Sequence, residues 1–289
     1  MEIILGKTAG FCYGVKTAVT NAEEKLKEYK NVSCLGELVH NGEVIKKLEK
    51  LGLSVVENIE DSKSKVIIRA HGISKDIYKK AEALNIEVFD FTCPFVLKIH
   101  NIAEEYSKKG YYIFLIGGKK HPETIGTISF CGKNSCIIEK EEEIKEALKI
   151  RMRKLEKSKI KKLLIIVQTT FSLEKFSSFV EKIKNEISDD IKLEIKNTIC
   201  SATKIRQEET ANISKEVECM IIIGGKNSSN TKKLYDISKE NCENTLIIET
   251  KNELNIDEIK KFKKIGIMAG ASTPNDSIED VIELIKSNE

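Results

Sequence analysis

The sequence has few of the features that mark fibrous, disordered or membrane-spanning chains. It contains no tryptophan, only 3 prolines and 6% aromatic residues, while 40% of its residues are hydrophobic and 32% are charged. This composition excludes the collagen-like, low-complexity and disordered classes. The longest aliphatic runs, such as residues 163–167 and 220–223, are far shorter than the ~20 residues that cross a bilayer. We therefore expect a globular protein with no membrane partner.

An excess of charge of one sign is also missing. The 48 basic and 45 acidic residues leave a formal net charge of +3, so no strong field indicates a nucleic-acid partner. The N-terminus predicts a strand that runs into a glycine-rich turn, without the basic region or the cleavage site of a signal peptide. The sequence therefore favours a cytoplasmic protein that binds no nucleic acid.

No Cys-x-x-Cys pair occurs, which leaves a zinc ribbon or a thioredoxin-type dithiol without support. The chain nevertheless has 8 cysteines in 289 residues. A disulfide framework is not expected in a chain of this size in a reducing compartment. If the thiols carry chemistry, the fold must bring them together from distant points of the chain.

Short apolar runs alternate with amphipathic helical stretches along the chain. The runs are nearly all apolar, as is typical of parallel strands that are buried on both faces. Alternating strands and helices predict an α/β protein whose parallel sheets are covered by helices. The predicted strands are residues 3–5, 32–35, 66–69, 88–91, 112–116, 163–167, 192–195, 220–223, 246–248 and 265–268.

Three cysteines, Cys12, Cys93 and Cys200, mark an internal repeat. Each is followed, at the same interval in all three cases, by a glycine at a predicted strand end. A polar side chain then follows at a second interval that is also the same in all three. These marks are Gly36, Gly117 and Gly224, and then His40, His121 and Ser228. Three copies of the same spacing predict three similar lobes around a pseudo-threefold axis.

The repeat places each of the three thiols between a strand and a helix. Ligand sites in parallel sheets lie beyond the carboxyl ends of the strands, and a helix N-terminus favours the thiolate. Three thiolates at one centre can hold a zinc ion with one water or an iron–sulfur cube with one open iron, and soft sulfur ligands favour the cube. Cys34 and Cys219 are predicted to be core residues, and Cys131 and Cys136 flank a predicted surface hairpin.

Polar residues in matching loops predict an anion pocket beside the thiols. Three histidines follow strands, and two further loops offer hydroxyls, an amide and backbone N–H groups at helix starts, a combination that holds phosphate or diphosphate. The glycine-rich turns in these two loops, at Gly224-Gly225 and at Gly270, do not fit a nucleotide-binding pattern. These pocket residues are His40, His71, His121, Ser228, Ser229, Asn230 and Ser272. His100, by contrast, is interpreted as an ordinary helix residue.

A proton donor is predicted at the same edge of the sheets. Glu123 lies two residues after His121, and Thr169 and Thr170 follow the strand at residues 163–167. A carboxyl group there can donate protons, with a threonine hydroxyl orienting the donor and the substrate oxygen.

The chain resembles the 4-hydroxy-3-methylbut-2-enyl diphosphate reductase family across residues 3–280. The motifs that carry the resemblance, in the family's order, are Gly10-Phe11-Cys12-Tyr13-Gly14-Val15, Val39-His40-Asn41, Arg69-Ala70-His71-Gly72, Thr92-Cys93-Pro94, His121-Pro122-Glu123, Gln168-Thr169-Thr170, Thr198-Ile199-Cys200, Asn227-Ser228-Ser229-Asn230 and Gly270-Ala271-Ser272-Thr273-Pro274. The resemblance implies a trefoil of three α/β lobes around one [4Fe-4S] cluster with an open iron. It assigns Cys12, Cys93 and Cys200 as the ligands.

The resemblance also implies the reaction. Two electrons and two protons would remove the allylic hydroxyl of the diphosphate substrate as water and give isopentenyl and dimethylallyl diphosphate. Glu123 would supply a proton, with Thr169 and His121 beside it, and ferredoxin or flavodoxin would supply the electrons. A hydro-lyase that uses the cluster without net redox change and an iron–sulfur redox sensor are the alternatives.

The repeat also predicts where the lobes begin and end. Lobe 1 is expected over residues 1–92, lobe 2 over 93–198, and lobe 3 over 199–289 with a C-terminal helix. The first strand and its turn, residues 1–11, belong either to lobe 1 or to the sheet of lobe 3.

Overall fold

The computed structural model describes residues 1–156 and 161–288, in which twelve strands and eleven α-helices alternate. The strands are β1 (Glu2–Leu5), β2 (Val32–Leu35), β3 (Leu53–Val56), β4 (Lys65–Ile68), β5 (Glu87–Asp90), β6 (Tyr112–Ile116), β7 (Ser135–Ile138), β8 (Lys162–Val167), β9 (Lys192–Ile195), β10 (Cys219–Ile223), β11 (Asn244–Ile248) and β12 (Lys264–Ala269).

Helices connect these strands, except that a 3₁₀ turn alone joins β3 to β4. They are α1 (Tyr13–Glu28), α2 (Gly42–Lys50), α3 (Lys75–Ala83), α4 (Pro94–Lys108), α5 (Pro122–Ile128), α6 (Ile144–Glu156), α7 (Leu173–Glu186), α8 (Ser201–Ser214), α9 (Ser229–Asn241), α10 (Ile256–Ile259) and α11 (Asn275–Lys286). Three short 3₁₀ turns, Ile59–Asp61, Glu141–Glu143 and Lys251–Glu253, complete the described structure.

The strands form three parallel sheets of four, which we call sheets A, B and C. Their strand orders are β1-β12-β10-β11, β5-β4-β2-β3 and β9-β8-β6-β7. The same connectivity occurs three times, with one edge strand, two inner strands and a second edge strand in equivalent places. The predicted α/β class with three similar parallel sheets is therefore confirmed.

The chain divides into two compact units. The first contains Met1–Lys30, Glu37–Leu53 and Ser201–Glu289 and includes sheet A, in which β1 pairs with β12. The second contains Asn31–Gly36 and Ser54–Cys200 and includes sheet C and nearly all of sheet B. The three lobe boundaries drawn from the repeat stay a prediction.

Sheet C shows why the strands read as continuous apolar runs. Along β6, Tyr112, Phe114 and Ile116 pack on one face in a core with residues of α6 and α7, while Ile113 and Leu115 pack on the other with α4. Successive side chains of a strand point to opposite faces, so a strand with helices on both sides is apolar at every position. Each such side chain contributes roughly 1.5–3 kcal/mol by its burial.

Two strands that the sequence analysis did not predict are β3 and β7, each at a sheet edge. Both are only four residues long, and most of their side chains are half-buried, so they lack the apolar run that identified the inner strands. The hairpin predicted between Cys131 and Cys136 is wrong. Cys136 lies in β7, which pairs parallel with β6, and Cys131 is fully buried near the end of α5.

Among the described residues, no helix combines the length and the apolar character that crossing a bilayer requires.

Candidate active site

The three repeat cysteines occupy the same place in the three sheets. Each follows an edge strand (β1, β5 or β9) and precedes a helix (α1, α4 or α8). The backbone N–H of each donates to a carbonyl in the loop that follows the neighbouring inner strand. These bonds are Cys12 to Ala271 at 3.1 Å, Cys93 to Ala70 at 2.9 Å and Cys200 to Thr169 at 3.1 Å. The repeat in the sequence is therefore a repeat in local geometry.

These cysteines also differ from most of the others in exposure. Cys12, Cys93 and Cys200 have partly exposed side chains. Cys34 and Cys219 are fully buried, as predicted, and burial raises the pKa of each thiol to about 12. Buried structural thiols of this kind stay protonated and unreactive at neutral pH, which leaves the three partly exposed cysteines of the repeat as the candidates for chemistry.

Two further loops recur in each sheet and carry the remaining predicted residues. The loop after the first inner strand (β12, β4 or β8) carries Ser272, His71 or Thr169, and the loop after the second (β10, β2 or β6) carries Ser228, His40 or His121. All six residues therefore follow the carboxyl ends of parallel strands, where such sheets place their ligands.

In the first unit, His40 lies against two of these loops. The hydroxyl of Ser272 donates to the His40 carbonyl at 3.0 Å. Gly225 packs so closely that a Cβ atom there would come within 2.6 Å of the same oxygen. Only glycine tolerates this approach, so Gly225 lets this turn pack directly against the His40 backbone.

The start of α9 has an unsatisfied amide. Ser228 is the N-cap, and its hydroxyl accepts from the N–H of Thr231 at 3.3 Å. Asn230 is only 3% exposed, and neither end of its amide has a hydrogen-bond partner among the described residues. Buried polar groups are nearly always paired, so this amide indicates a place where a ligand completes the hydrogen bonding. Ser229, between them, is half-buried.

In the second unit, the rings of His71 and His121 lie edge to face with centroids 5.6 Å apart. His121 is the N-cap of α5, and its Nδ1 accepts from the N–H of Glu123 at 3.2 Å. A neutral His121 ring therefore carries its proton on Nε2 and can donate it to an anion.

Glu123 is a buried carboxyl group held by Thr169. It is 2% exposed, and its two oxygens accept from the Thr169 N–H at 2.7 Å and from the Thr169 hydroxyl at 2.5 Å. Burial raises the pKa of Glu123 to about 7, against the opposing effect of the Thr169 hydrogen bonds. The group therefore exists in both protonation states at neutral pH, as a proton donor requires. The Thr169 carbonyl also accepts from the Cys200 N–H, so Thr169 is hydrogen-bonded to both Glu123 and Cys200.

Gln168 belongs to this network, although the sequence analysis gave it no role. Its side-chain oxygen accepts from the Gly118 N–H at 3.1 Å and from the Thr124 hydroxyl at 3.3 Å, and its Nε2 donates to Thr170 at 2.7 Å. Gln168 thus connects the turn that contains Gly118 to the loop that contains Thr169 and Thr170. Its place in the Gln168-Thr169-Thr170 motif was the signal in the sequence.

His100 is more than an ordinary helix residue. It is 2% exposed and stacks on Phe130 at a centroid distance of 4.1 Å. It also fills the space beside Gly72, where a Cβ atom would come within 2.8 Å of its ring. Burial lowers the pKa of His100 to about 4, so the ring is neutral at physiological pH. It supports the turn that carries His71.

This lowered pKa predicts an acid sensitivity. Unfolded His100 gains its proton near pH 6.5, but the folded protein resists protonation down to about pH 4, so stability falls as the pH drops through this range. We expect wild type to lose about 2 kcal/mol of unfolding free energy between pH 7.5 and 5 through this residue. Urea unfolding of wild type and of His100→Gln at pH 7.5 and pH 5 measures this loss. An equal change in unfolding free energy between the two pH values in both proteins would contradict the assignment.

Comparison with known proteins finds matches over nearly the whole chain. The sequence model of the LytB protein family matches residues 3–286. A 4-hydroxy-3-methylbut-2-enyl diphosphate reductase of Clostridioides difficile is 42% identical over 99% of this chain and 100% of its own length. The enzyme of the same description from Aquifex aeolicus is 40% identical over 97% of this chain and 94% of its own length.

Two solved structures are also similar. One is described as (E)-4-hydroxy-3-methyl-but-2-enyl diphosphate reductase, the terminal enzyme of the non-mevalonate pathway. It is 39% identical with a TM-score of 0.71, over 99% of this chain and all of that one. The other is the E-1-hydroxy-2-methyl-but-2-enyl-4-diphosphate reductase of Plasmodium falciparum. It is 32% identical with a TM-score of 0.89, over 98% of this chain and 87% of that one.

Proposed function

The chain belongs to the LytB protein family, and from this premise we propose that it reduces (E)-4-hydroxy-3-methylbut-2-enyl diphosphate to isopentenyl and dimethylallyl diphosphate. The allylic C–O bond breaks, the hydroxyl leaves as water with one proton, and the carbon skeleton takes up two electrons and a second proton. The observation that carries this proposal is the buried Glu123, whose pKa of about 7 suits a proton donor.

Enzymes of this family are iron–sulfur proteins, and we propose that Cys12, Cys93 and Cys200 hold one [4Fe-4S] cluster per chain. Their equivalent positions and partial exposure support this ligand set, and thiolates are the ligands that such clusters use. When bound, the cluster supplies single electrons and one iron without a protein ligand, which acts as a Lewis acid. The proposal also places the three lobes, residues 1–92, 93–198 and 199–289, around a pseudo-threefold axis.

The diphosphate group is bound, in this proposal, by the polar loops. Ser228 and Ser229 lie at the N-terminus of α9, and a helix N-terminus is a favourable place for an anion. The unsatisfied amide of Asn230 gains partners there, and the proton on Nε2 of His121 offers a donor to the anion. The other predicted members of the pocket are His40, His71, Thr169, Thr170 and Ser272.

The proton path is proposed to run through Glu123. Its protonated form donates to the leaving hydroxyl, so that water leaves rather than hydroxide. Thr169 holds the carboxyl group by two hydrogen bonds and is proposed to orient the substrate oxygen. His121 shares the same helix start and fixes the Glu123 backbone.

Ferredoxin or flavodoxin is the proposed electron donor. Both deliver single electrons, which an iron–sulfur site accepts one at a time. A cytoplasmic location is proposed on related grounds, because thiols that serve as cluster ligands must stay reduced and the cytosol keeps them so.

An anaerobic turnover assay tests the proposal against its alternatives. The reductase should consume the allylic diphosphate only with a reductant such as reduced methyl viologen. Equal turnover without reductant would overturn it in favour of a hydro-lyase. No turnover under either condition, with iron and sulfide bound, would favour a redox sensor.

A further inference from the structure

The turn that leads to Cys12 is held by a helix that is distant in sequence. Arg206 of α8 donates from Nε to the Thr8 carbonyl at 2.8 Å and from Nη2 to the Gly10 carbonyl at 2.7 Å. Glu209, one turn further along α8, accepts from the N–H groups of Lys7 at 2.6 Å and Thr8 at 2.9 Å. The Thr8 hydroxyl donates to the same carboxylate at 2.5 Å. Arg206 therefore binds carbonyl groups of the turn, and Glu209 binds N–H groups of the same turn.

A second segment holds the turn at its other end. The Cys12 N–H donates to the Ala271 carbonyl at 3.1 Å. Gly10 has a φ of +97°, and a Cβ atom there would come within 2.8 Å of the Asn275 side chain. The backbone just before the thiol is thus fixed on one side by α8 and on the other by the segment that follows β12.

Arg206 is more deeply buried than an arginine on a helix usually is. It is 3% exposed, and it lies on the inner face of α8 with the buried polar residues Thr203 and Thr210. Burying a charge costs stability unless the group is paired or hydrogen-bonded, and Arg206 has such bonds to the Thr8 and Gly10 carbonyls. Burial by itself would raise the pKa of Glu209, but the hydrogen bonds from Thr8 and Lys7 and the Arg206 charge outweigh it, so the pKa of Glu209 lies below its ordinary value.

We propose that Arg206 and Glu209 are positioning residues that hold the turn of residues 7–11 so that the Cys12 thiol is presented to the metal cluster. This inference rests on the proposed function, because it takes Cys12 as a ligand. It adds that the helix following Cys200 in the chain also sets the backbone of Cys12. Neither residue contacts the cluster or the substrate in this role.

The test measures cluster retention in Arg206→Gln and Glu209→Gln. After anaerobic reconstitution, iron release to a chelator should occur at about 10- to 100-fold lower chelator concentration than in wild type, the usual cost of removing a partner that orients a ligand. Arg206→Lys, which keeps the charge and one donor, should recover part of the difference. The electron paramagnetic resonance spectrum of the reduced protein should broaden in the two glutamine variants.

Two variants of the same helix are the controls. Lys204→Ala removes an exposed side chain that pairs with Glu208 at 3.9 Å, and it should leave iron retention unchanged. Ile213→Val truncates a buried side chain that packs in the core of sheet A. It should lower the melting temperature without changing iron retention, which separates positioning from general stability.

A second readout needs no cluster. In the apo protein, Arg206→Gln should increase the alkylation rate of Cys12 relative to Cys93 several-fold, measured by peptide mass spectrometry. Wild-type iron retention and wild-type alkylation in Arg206→Gln and Glu209→Gln would overturn the inference. Failure of wild type itself to retain iron would instead overturn the proposed cluster.

Discussion

Glu123→Gln should lower turnover about 10²-fold or more while leaving the iron content unchanged. The variant keeps the shape of the side chain, and its oxygen still accepts from the Thr169 N–H while its amide nitrogen can donate to the Thr169 hydroxyl. It therefore removes the transferable proton without emptying the site. Steady-state turnover with reduced methyl viologen, normalised to iron per chain, measures the effect.

The pH profile gives an independent check on Glu123. Because the pKa of the folded group is about 7, its protonated fraction is high at pH 6 and falls about tenfold per unit above pH 7. Wild-type turnover should fall accordingly as the pH rises, and the residual activity of Glu123→Gln should not follow this curve. Glu142→Gln, at an exposed glutamate, is the matched control. Near-normal activity of Glu123→Gln would remove the residue from its proposed role.

Cys93→Ser should abolish cluster binding, and with it the activity. A serine hydroxyl is a harder ligand that stays protonated at neutral pH, so it does not replace a thiolate on iron. The loss should exceed the about 10- to 100-fold effect of removing an outer partner of a metal ligand. Iron and acid-labile sulfide per chain, together with the visible absorbance of anaerobic protein, measure it.

The matched control for Cys93→Ser is Cys136→Ser. The Cys136 thiol is also partly exposed, but it lies in β7, outside the repeat. This variant should retain the cluster and the activity. Full iron and sulfide content in Cys93→Ser, with normal activity, would defeat the ligand assignment, whereas loss in both variants would show that the effect is not specific to the repeat.

The parts of the fold that could be predicted from sequence were those with local signals. The inner strands β6, β8 and β10 are apolar at nearly every position, and all were predicted within a residue of their bounds. The edge strand β3 was missed because most of its side chains are only half-buried, which removes the apolar run. Burial on both faces, rather than strand propensity, was the signal.

The candidate site divides in the same way. Roles for Glu123 and Thr169 could be predicted from their motifs, but the roles of Gln168 and Arg206 could not. The bonds of Gln168 run to Gly118 and Thr124, and those of Arg206 run to Thr8 and Gly10, each across a long sequence separation. A long polar side chain in a loop, as at Gln168, or on a helix, as at Arg206, usually faces water, so the sequence by itself suggests a surface residue.

The sequence by itself determined the class of the fold, the threefold repeat and the residue types available for chemistry, because strand burial and loop position leave periodic marks along the chain. Only the tertiary structure decided how those residues behave. The pKa of Glu123 depends on its removal from water and on Thr169, which is distant in the chain, and the backbone of Cys12 depends on a helix that comes much later still. Dielectric surroundings and hydrogen-bond partners are properties of the folded packing, and no local pattern in the chain encodes them.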